Sequence, residues 1–229
     1  MNEIPITVRA ERESAVYRIG EVVRFQVTGA GENFRWRIDD GVTVTGECEI
    51  AEYRSGEPRR IRRIRLSPER PRAVQGCLDA LAQADLILLG PGSLYTSVIP
   101  NLVVEGISEA IRASHAAKVY VMNLMTQEGE TAGYTASDHV RALFDHGGEG
   151  LFDHCLINDL PVPPAALELY RREGAVPISV DATELARMGV RADFAPLADY
   201  SRGLVRHDPP ALARAVMDLY HRISPTRIY

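Results

Sequence analysis

Cysteine is scarce in this chain of 229 residues, and its scarcity excludes two kinds of architecture. The three cysteines, Cys48, Cys77 and Cys155, are odd in number and widely spaced, which argues against a disulfide framework. No Cys-x-x-Cys pair and no histidine-rich spacing indicates a structural zinc site. The cysteine content therefore favours a reducing compartment, and we expect a cytoplasmic protein.

Long apolar runs and an excess of positive charge are also missing. No stretch has the roughly 18 consecutive apolar residues of a membrane-spanning helix, and the first residues do not form the apolar part of a signal peptide. The net charge of −5 at pH 7 gives no support for a general nucleic-acid or membrane-surface binder. The composition thus predicts a globular protein with neither nucleic acid nor membrane as its partner.

Strand-forming residues dominate the first 66 positions. Short apolar stretches separated by glycine and aspartate predict a meander of strands, at residues 16–17, 22–27, 34–38 and 42–46. In residues 59–66, five arginines surround period-two aliphatic side chains, a pattern typical of an amphipathic strand with a solvated basic face. The alternatives are a basic rim that attracts an anionic ligand and a surface for a partner. We assign residues 1–66 to a β-rich N-terminal segment.

From residue 67 to residue 229, strand-like and helix-like segments alternate. This pattern predicts an α/β fold, with a Rossmann-like, mostly parallel wound sheet and helices on both faces. Apolar runs predict strands at residues 86–89, 118–122, 154–159 and 176–180. Helical spacing and helix-start signals predict helices at residues 72–83, 102–114, 136–145, 163–173 and 209–223.

The most informative segment follows the first of these strands. Residues 86–89 form an apolar run, typical of a strand buried on both faces, and end in Gly-Pro-Gly at 90–92, with hydroxyls at Ser93, Thr96 and Ser97. Open α/β sheets bind ligands at such a turn, where glycine lets the backbone approach an anion. The spacing matches neither the P-loop nor the dinucleotide motif. It predicts a phosphate or nucleotide site, and the alternative is a tight turn without a ligand.

Two further strand ends are expected beside this turn, because parallel strands end at one edge of a sheet. They are Asn123 and the pair at 158–159. The polar loop after Asn123 leads to Asp138 and His139, which suit acid–base or metal chemistry. They equally suit a first-turn helix charge and a packed imidazole. No recognisable nucleophile–base motif occurs in the sequence, so nucleophilic catalysis is unsupported.

Tyr170 and Arg206 are candidates for nucleotide contacts. An aromatic ring stacks on a base, and a guanidinium group forks onto a phosphate. Taken alone, either residue is equally well explained as part of the surface.

Several motifs resemble those of the gluconeogenesis-factor (YvcK-like) family, in the superfamily of 2-phospho-L-lactate transferase. The resemblance covers about residues 38–222, and its motifs lie at residues 89–97, 99–102, 123–127, 130–131 and 133–139. The Gly-Gly-Gly-Thr-Gly and Asp-Asp-Gly-Gly-Ser-Ser segments with which family members open do not occur in this sequence.

The resemblance implies a cytoplasmic protein that binds a nucleotide sugar such as UDP-N-acetylglucosamine and regulates carbon metabolism and cell shape. It also implies that Tyr170 and Arg206 contact the nucleotide sugar. The expected ligand-binding set, with no catalytic residue and no metal ligand assigned, is Gly90, Gly92, Ser93, Tyr95, Thr96, Ser97, Asn123, Thr126, Tyr170 and Arg206.

Two other readings stay open. The enzyme alternative is a transferase of the phospholactate type, in which Asp138 or Asp159 would hold a divalent metal ion. A third reading is a structural remnant that binds no ligand. The sequence also leaves open whether the chain forms a homo-oligomer.

Overall fold

The computed structural model describes residues 60–66, 70–201 and 203–224, together with the backbone of three short strands nearer the N-terminus. Strands β1 (Thr7–Ala10) and β2 (Phe25–Thr28) pair antiparallel, and β3 (Arg37–Ile38) pairs antiparallel with β4 (Ile64–Arg65). The strands expected at residues 16–17 and 42–46 lie outside the described residues. The division of the chain at residue 66 stays a prediction.

Four parallel strands form the central sheet. In spatial and chain order they are β5 (Leu86–Leu89), β6 (Ala117–Val121), β7 (His154–Asn158) and β8 (Arg191–Ala195). The register sets Leu89 opposite Tyr120 and Val121 opposite Leu156. The predicted parallel α/β sheet is confirmed, and the first three strands lie within a residue of their predicted bounds.

The strand predicted at residues 176–180 is wrong. Pro177 and Ser179 make only isolated bridges, to Met125 and Thr135. Proline has no N–H to give to a strand ladder, and the two partners lie in the loop after β6 rather than in the sheet. The fourth strand is β8, whose sequence the prediction missed.

Each of the five predicted helices has a counterpart in the structure, but one of them is shortened, and two short helices are additional. They are α1 (Gln75–Gln83), α2 (Ile99–Leu102), α3 (Ile107–Ala113), α4 (Ala136–Gly147), α5 (Pro164–Arg172), α6 (Ala182–Arg187) and α7 (Pro209–Ile223). The helix expected at 102–114 begins only at Ile107, because Leu102 ends the separate helix α2 and residues 103–106 are not helical. Gly106, with a left-handed φ of 96°, is the N-cap of α3. The short helices α2 and α6 were not predicted.

Apolar side chains cover both faces of the sheet. One face carries Ile87 and Tyr120 in the main core, and the other packs Val119 and Leu156 against α7. Ile64 from the N-terminal segment is buried in the main core as well. The expected placement of helices on both faces is confirmed.

Strand β5 lies at an edge of this sheet, and it is less buried than predicted. Leu88 is 43% exposed, because the described residues place neither a neighbouring strand beside β5 nor a helix over this side chain. Burial on both faces is therefore wrong for β5, although Ile87 and Leu89 are buried on one of them. Among the helices that the structure describes, none has the length and apolar character to cross a membrane.

Candidate functional site

The candidate site lies at the carboxyl edge of the sheet. Gly90 follows β5, Asn123 lies two residues after β6, and Asn158 ends β7. Because the three strands are parallel, these residues lie along one edge, as the sequence predicted.

The two glycines of the Gly-Pro-Gly turn are required by packing. Gly90 has a φ of 83°, and a Cβ on it would lie 3.2 Å from the carbonyl oxygen of Val121. A Cβ on Gly92 would lie 3.0 Å from the Cβ of Ser97. Both contacts are with the protein itself, so the glycines press the turn onto β6 and onto the helical residues that follow it.

Those helical residues, Leu94–Val98, continue directly into α2. The carbonyl oxygen of Ser93 accepts hydrogen bonds from the N–H groups of both Ser97, at 2.9 Å, and Val98, at 3.0 Å. The side chain of Ser97 is exposed and that of Ser93 is half-buried, so these two hydroxyls line the accessible side of the turn.

Tyr95 and Thr96 turn away from solvent. The Tyr95 hydroxyl donates to the carbonyl oxygen of Ile61 at 3.1 Å and shares a hydrogen bond of 2.8 Å with the hydroxyl of Tyr134. The Thr96 hydroxyl donates to the carboxylate of Glu130. The structure therefore places these two predicted site residues inside the protein, beside the open edge rather than on it.

Glu130 is a residue of this region that the predicted site did not include. Its carboxylate is buried, with Oε1 accepting from Thr96 and Oε2 from the backbone N–H of Tyr95. The signal was present in the sequence, because Glu130 belongs to one of the motifs that carry the family resemblance. Only the fold shows that its carboxylate reaches back to the glycine turn.

Asn123 carries a buried acceptor that the described residues leave without a partner. Its Oδ1 atom is buried and receives no hydrogen bond from them. A buried amide oxygen costs free energy unless an N–H or O–H group donates to it. This atom therefore marks a place where a ligand donor would be favoured.

The hydroxyl and the backbone N–H of Thr126, by contrast, already have hydrogen-bond partners within the protein. Its hydroxyl oxygen accepts from the N–H of Val176 at 2.9 Å, and its own N–H donates to the carbonyl oxygen of Val176 at 2.8 Å. The side chain is buried, and it fixes the loop after β6 against the segment that follows α5.

Tyr170 and Arg206 are brought together, and both are brought to the strand edge. The Tyr170 hydroxyl bonds to the backbone of Val205, the residue before Arg206. The next residue, His207, lies with Nε2 3.2 Å from the carbonyl oxygen of Met122, beside Asn123. Burial lowers the pKa of His207, so the ring is held neutral and its Nε2–H donates to that carbonyl.

Asp138 and His139 are committed to the start of α4. Thr135 and Asp138 form a capping box, and Arg60 donates to both carboxylate oxygens, at 2.7 and 3.0 Å. Burial raises the pKa of Asp138, but the hydrogen bonds from Arg60 and from the Thr135 N–H outweigh it and leave the pKa lowered. His139 is fully buried, and its Nδ1 lies 2.9 Å from the carbonyl oxygen of Thr135. The geometry supports the structural alternative for both residues.

Arg60 explains part of the basic stretch at 59–66. Besides its ion pair with Asp138, its guanidinium carbon lies 4.9 Å from the centre of the Tyr134 ring. Ile61, Ile64 and Leu66 are buried while Arg62 and Arg63 are exposed, so the aliphatic spacing departs from a strict period of two.

A metal site is not assembled by the part of the chain that the structure describes. No three His, Cys, Asp or Glu side chains there are placed to hold an ion. Asp159 is exposed at the end of β7, and Asp138 is bonded to Arg60 and Arg141. Neither of these two carboxylates belongs to a metal-binding cluster of the described residues, and the divalent metal of the transferase alternative stays a prediction.

Comparison with known proteins gives consistent matches. The family model described as 2-phospho-L-lactate transferase CofD matches residues 25–198. The chain is 41% identical over 182 residues to the gluconeogenesis factor of Bacillus subtilis (strain 168), a match covering 80% of this chain and 56% of that protein. The gluconeogenesis factor of Halalkalibacterium halodurans is 41% identical over 191 residues, covering 82% of this chain and 57% of that protein.

A crystal structure of a protein from Bacillus halodurans has the same fold. It superposes with a TM-score of 0.74 at 40% identity, over 80% of this chain and 58% of that one. The chain thus spans between half and two thirds of the length of these relatives. The parallel sheet and the matches over most of the sequence lead to one conclusion: the chain belongs to the CofD family and is similar to its gluconeogenesis factors.

Proposed function

We propose that the chain binds a nucleotide sugar of the UDP-N-acetylglucosamine class at the carboxyl edge of the sheet. On this proposal it acts in the cytoplasm as a regulator of carbon metabolism and cell shape. The buried, unpartnered Oδ1 of Asn123 carries the proposal, because it calls for a ligand hydroxyl or N–H beside the glycine turn. The similarity to gluconeogenesis factors supports the regulatory part.

Each neighbouring group has a role in this proposal. The exposed guanidinium of Arg206 pairs with the diphosphate, and the hydroxyls of Ser93 and Ser97 donate to its oxygens. The ring of Tyr170 stacks on the base. The bond from His207 to Met122 keeps the Arg206 segment close to Asn123, so one ligand can reach both.

The experiment is a titration of the purified chain with UDP-N-acetylglucosamine, followed by thermal denaturation and calorimetry. Ligand at 100 times its dissociation constant would stabilise the fold by about 2.7 kcal/mol. We expect Arg206→Ala to lose the shift and Arg206→Lys to recover part of it. Arg171→Ala, an exposed arginine on α5, is the matched control and keeps the wild-type shift. An unmoved melting midpoint at millimolar ligand contradicts the proposal.

A transferase activity is the second candidate, because the matching family model is that of 2-phospho-L-lactate transferase. Asp159 directly follows β7 and is exposed, so its carboxylate lies at the edge of the sheet where the site is expected. Turnover that requires a divalent metal ion and is abolished by Asp159→Asn would establish this reading. Absence of turnover with uridine and guanosine nucleotides would remove it.

A further inference from the structure

The carboxylate of Glu130 lies just after the glycine turn (residues 90–92), at Tyr95 and Thr96, where the sequence predicts a ligand anion. Its Oε2 lies 3.2 Å from the backbone nitrogen of Tyr95, and its Oε1 lies 2.9 Å from the hydroxyl oxygen of Thr96. Only 3% of the residue is exposed. The side chain therefore brings a carboxylate into the interior at the start of the helical stretch that runs from Leu94 into α2.

A carboxylate in this position is chemically matched to its surroundings. The first N–H groups of a helical stretch have no partner within the helix, and they favour negative charge. Burying an ionised carboxylate is costly unless donors satisfy it, and hydrogen bonds to a charged acceptor are stronger than neutral ones. The Tyr95 N–H and the Thr96 hydroxyl are such donors, and a phosphate would need the same two groups.

The backbone around Glu130 holds the carboxylate in place. The N–H groups of Glu130 and Thr131 both donate to the carbonyl oxygen of Gln127, at 3.2 and 2.8 Å. The Gln127 N–H donates to the hydroxyl oxygen of Thr131 at 2.9 Å. Thr131 is fully buried, so residues 127–131 form a closed turn that is anchored in the interior.

We propose that Glu130 is a resident anion and a positioning residue of the glycine turn. It fixes the turn by its bonds to Tyr95 and Thr96, and it excludes ligand phosphates from those two donors. The phosphates of the bound nucleotide then lie on the outer side of the turn, at Ser93, Ser97 and Arg206. This last step rests on the proposed function, whereas the role of Glu130 within the turn does not.

The test removes the carboxylate of Glu130 by mutation and then adds a small carboxylate anion to the solution. Glu130→Ala should lower the melting temperature by roughly 5–10 °C, because two buried donors lose a charged partner. Formate or acetate should restore a saturable part of that loss, since either anion offers a carboxylate to the Tyr95 N–H and the Thr96 hydroxyl. Inorganic phosphate, titrated separately, should bind to Glu130→Ala and not to the same position of the wild-type chain. Chloride at equal ionic strength is the salt control.

Glu128→Ala is the matched protein control, since it removes an exposed carboxylate two positions away. Its melting temperature should not respond to formate. Equal responses of wild type, Glu128→Ala and Glu130→Ala would overturn the resident-anion role. If Glu130→Ala does not fold, the role can be tested at Thr96, whose hydroxyl donates to the Glu130 carboxylate. The melting temperatures of Thr96→Val and Thr96→Ser are then compared. Only the valine variant should lose stability, because serine keeps the hydroxyl, and equal stability of the two would again overturn the role.

A crystal structure of the wild-type chain soaked with UDP-N-acetylglucosamine tests the exclusion. We expect Glu130 to remain bonded to Thr96, with the diphosphate on Ser93, Ser97 or Arg206. A phosphate oxygen on the Thr96 hydroxyl, with Glu130 displaced, would overturn it. A chain that binds no nucleotide but shows rescue by formate would instead contradict the proposed function and leave the positioning role of Glu130 standing.

Discussion

The hydroxyl oxygen of Tyr170 accepts a hydrogen bond of 3.0 Å from the backbone N–H of Val205. The same oxygen lies 3.4 Å from the carbonyl oxygen of Val205. One phenol thus satisfies both backbone groups of a residue, as a neighbouring strand would, and it fixes the position of the adjacent Arg206 relative to α5.

The first prediction removes this phenol oxygen. Tyr170→Phe leaves the buried Val205 N–H without its partner and should destabilise the chain by about 1–2 kcal/mol in urea unfolding. It should also weaken binding of UDP-N-acetylglucosamine, because Arg206 loses its support. Tyr200→Phe is the control, since it breaks a comparable bond of 3.1 Å to the carbonyl oxygen of Leu160. A binding defect of the same size in both variants would show that Arg206 is not positioned through Tyr170.

The second prediction concerns the glycine turn. Gly90→Ala should destabilise the chain by about 1–2 kcal/mol for its left-handed backbone, and further for the contact of 3.2 Å with Val121. Gly150→Ala isolates the backbone cost, because Gly150 has a φ of 76° and open space around its Cβ position. The difference between the two free energies of unfolding measures how closely the turn is pressed onto β6. Equal losses would mean that the turn relaxes freely.

The third prediction is a loss of stability in mild acid through His146. Its Nε2 accepts the N–H of Ile64 at 2.9 Å, which requires a neutral ring. Burial, with a smaller contribution from Arg63, lowers the pKa of His146 below its ordinary value of 6.5. Between pH 6.5 and that lowered pKa, the unfolded chain binds a proton that the folded chain does not. The free energy of unfolding should therefore fall as the pH falls through this range.

The variant His146→Gln separates the contribution of His146 to the pH dependence of stability from the contributions of other groups. His146→Gln keeps an acceptor for Ile64 and does not titrate, so its stability should depend less on pH between neutrality and mild acid. His139 and His207, whose pKa values burial also lowers, should contribute a slope in the same direction. Identical pH profiles for the wild type and His146→Gln would exclude a role for His146.

The fourth prediction follows from the Arg60–Asp138 pair. The lowered pKa of Asp138 means that its contribution is present above its ordinary pKa of 3.8 and is lost as the pH falls through the lowered value. Arg60 is 60% exposed, so a double-mutant cycle with Arg60→Ala and Asp138→Asn should give a coupling of about 0.5–1 kcal/mol at neutral pH. The coupling should vanish in strong acid. A coupling that persists there would show that it does not depend on the charge of Asp138.

The parts of the fold that sequence could predict are those with one dominant signal. The apolar run of β7 and the long amphipathic helix α7 were placed correctly because burial of one surface dictates their patterns. Strand β8 was missed because it is an edge strand of mixed composition, with Arg191 and Asp193 in its five residues. Residues 176–180 misled the prediction because their valines suit a strand, whereas their partners are loop residues far away in the chain.

The candidate site, like the fold, could be predicted from the sequence only in part. The apolar runs predict the strands, and the parallel arrangement of those strands predicts that Gly90 and Asn123 lie at the same edge of the sheet. The inward direction of Tyr95 and Thr96 does not follow, because it depends on Glu130 returning from a distant loop. A one-dimensional pattern of hydroxyls cannot show which of them the protein already uses.

The bond from the Tyr95 hydroxyl to the carbonyl oxygen of Ile61 joins the glycine turn to the short segment at 60–66. His146 packs its ring 6.0 Å from that of Tyr95 and accepts the Ile64 N–H, so the same few side chains hold both pieces. A bound ligand that makes the glycine turn more rigid would therefore slow hydrogen–deuterium exchange at the amide of Ile64. That amide, some thirty residues earlier in the chain, becomes a reporter of occupancy that needs no labelled ligand.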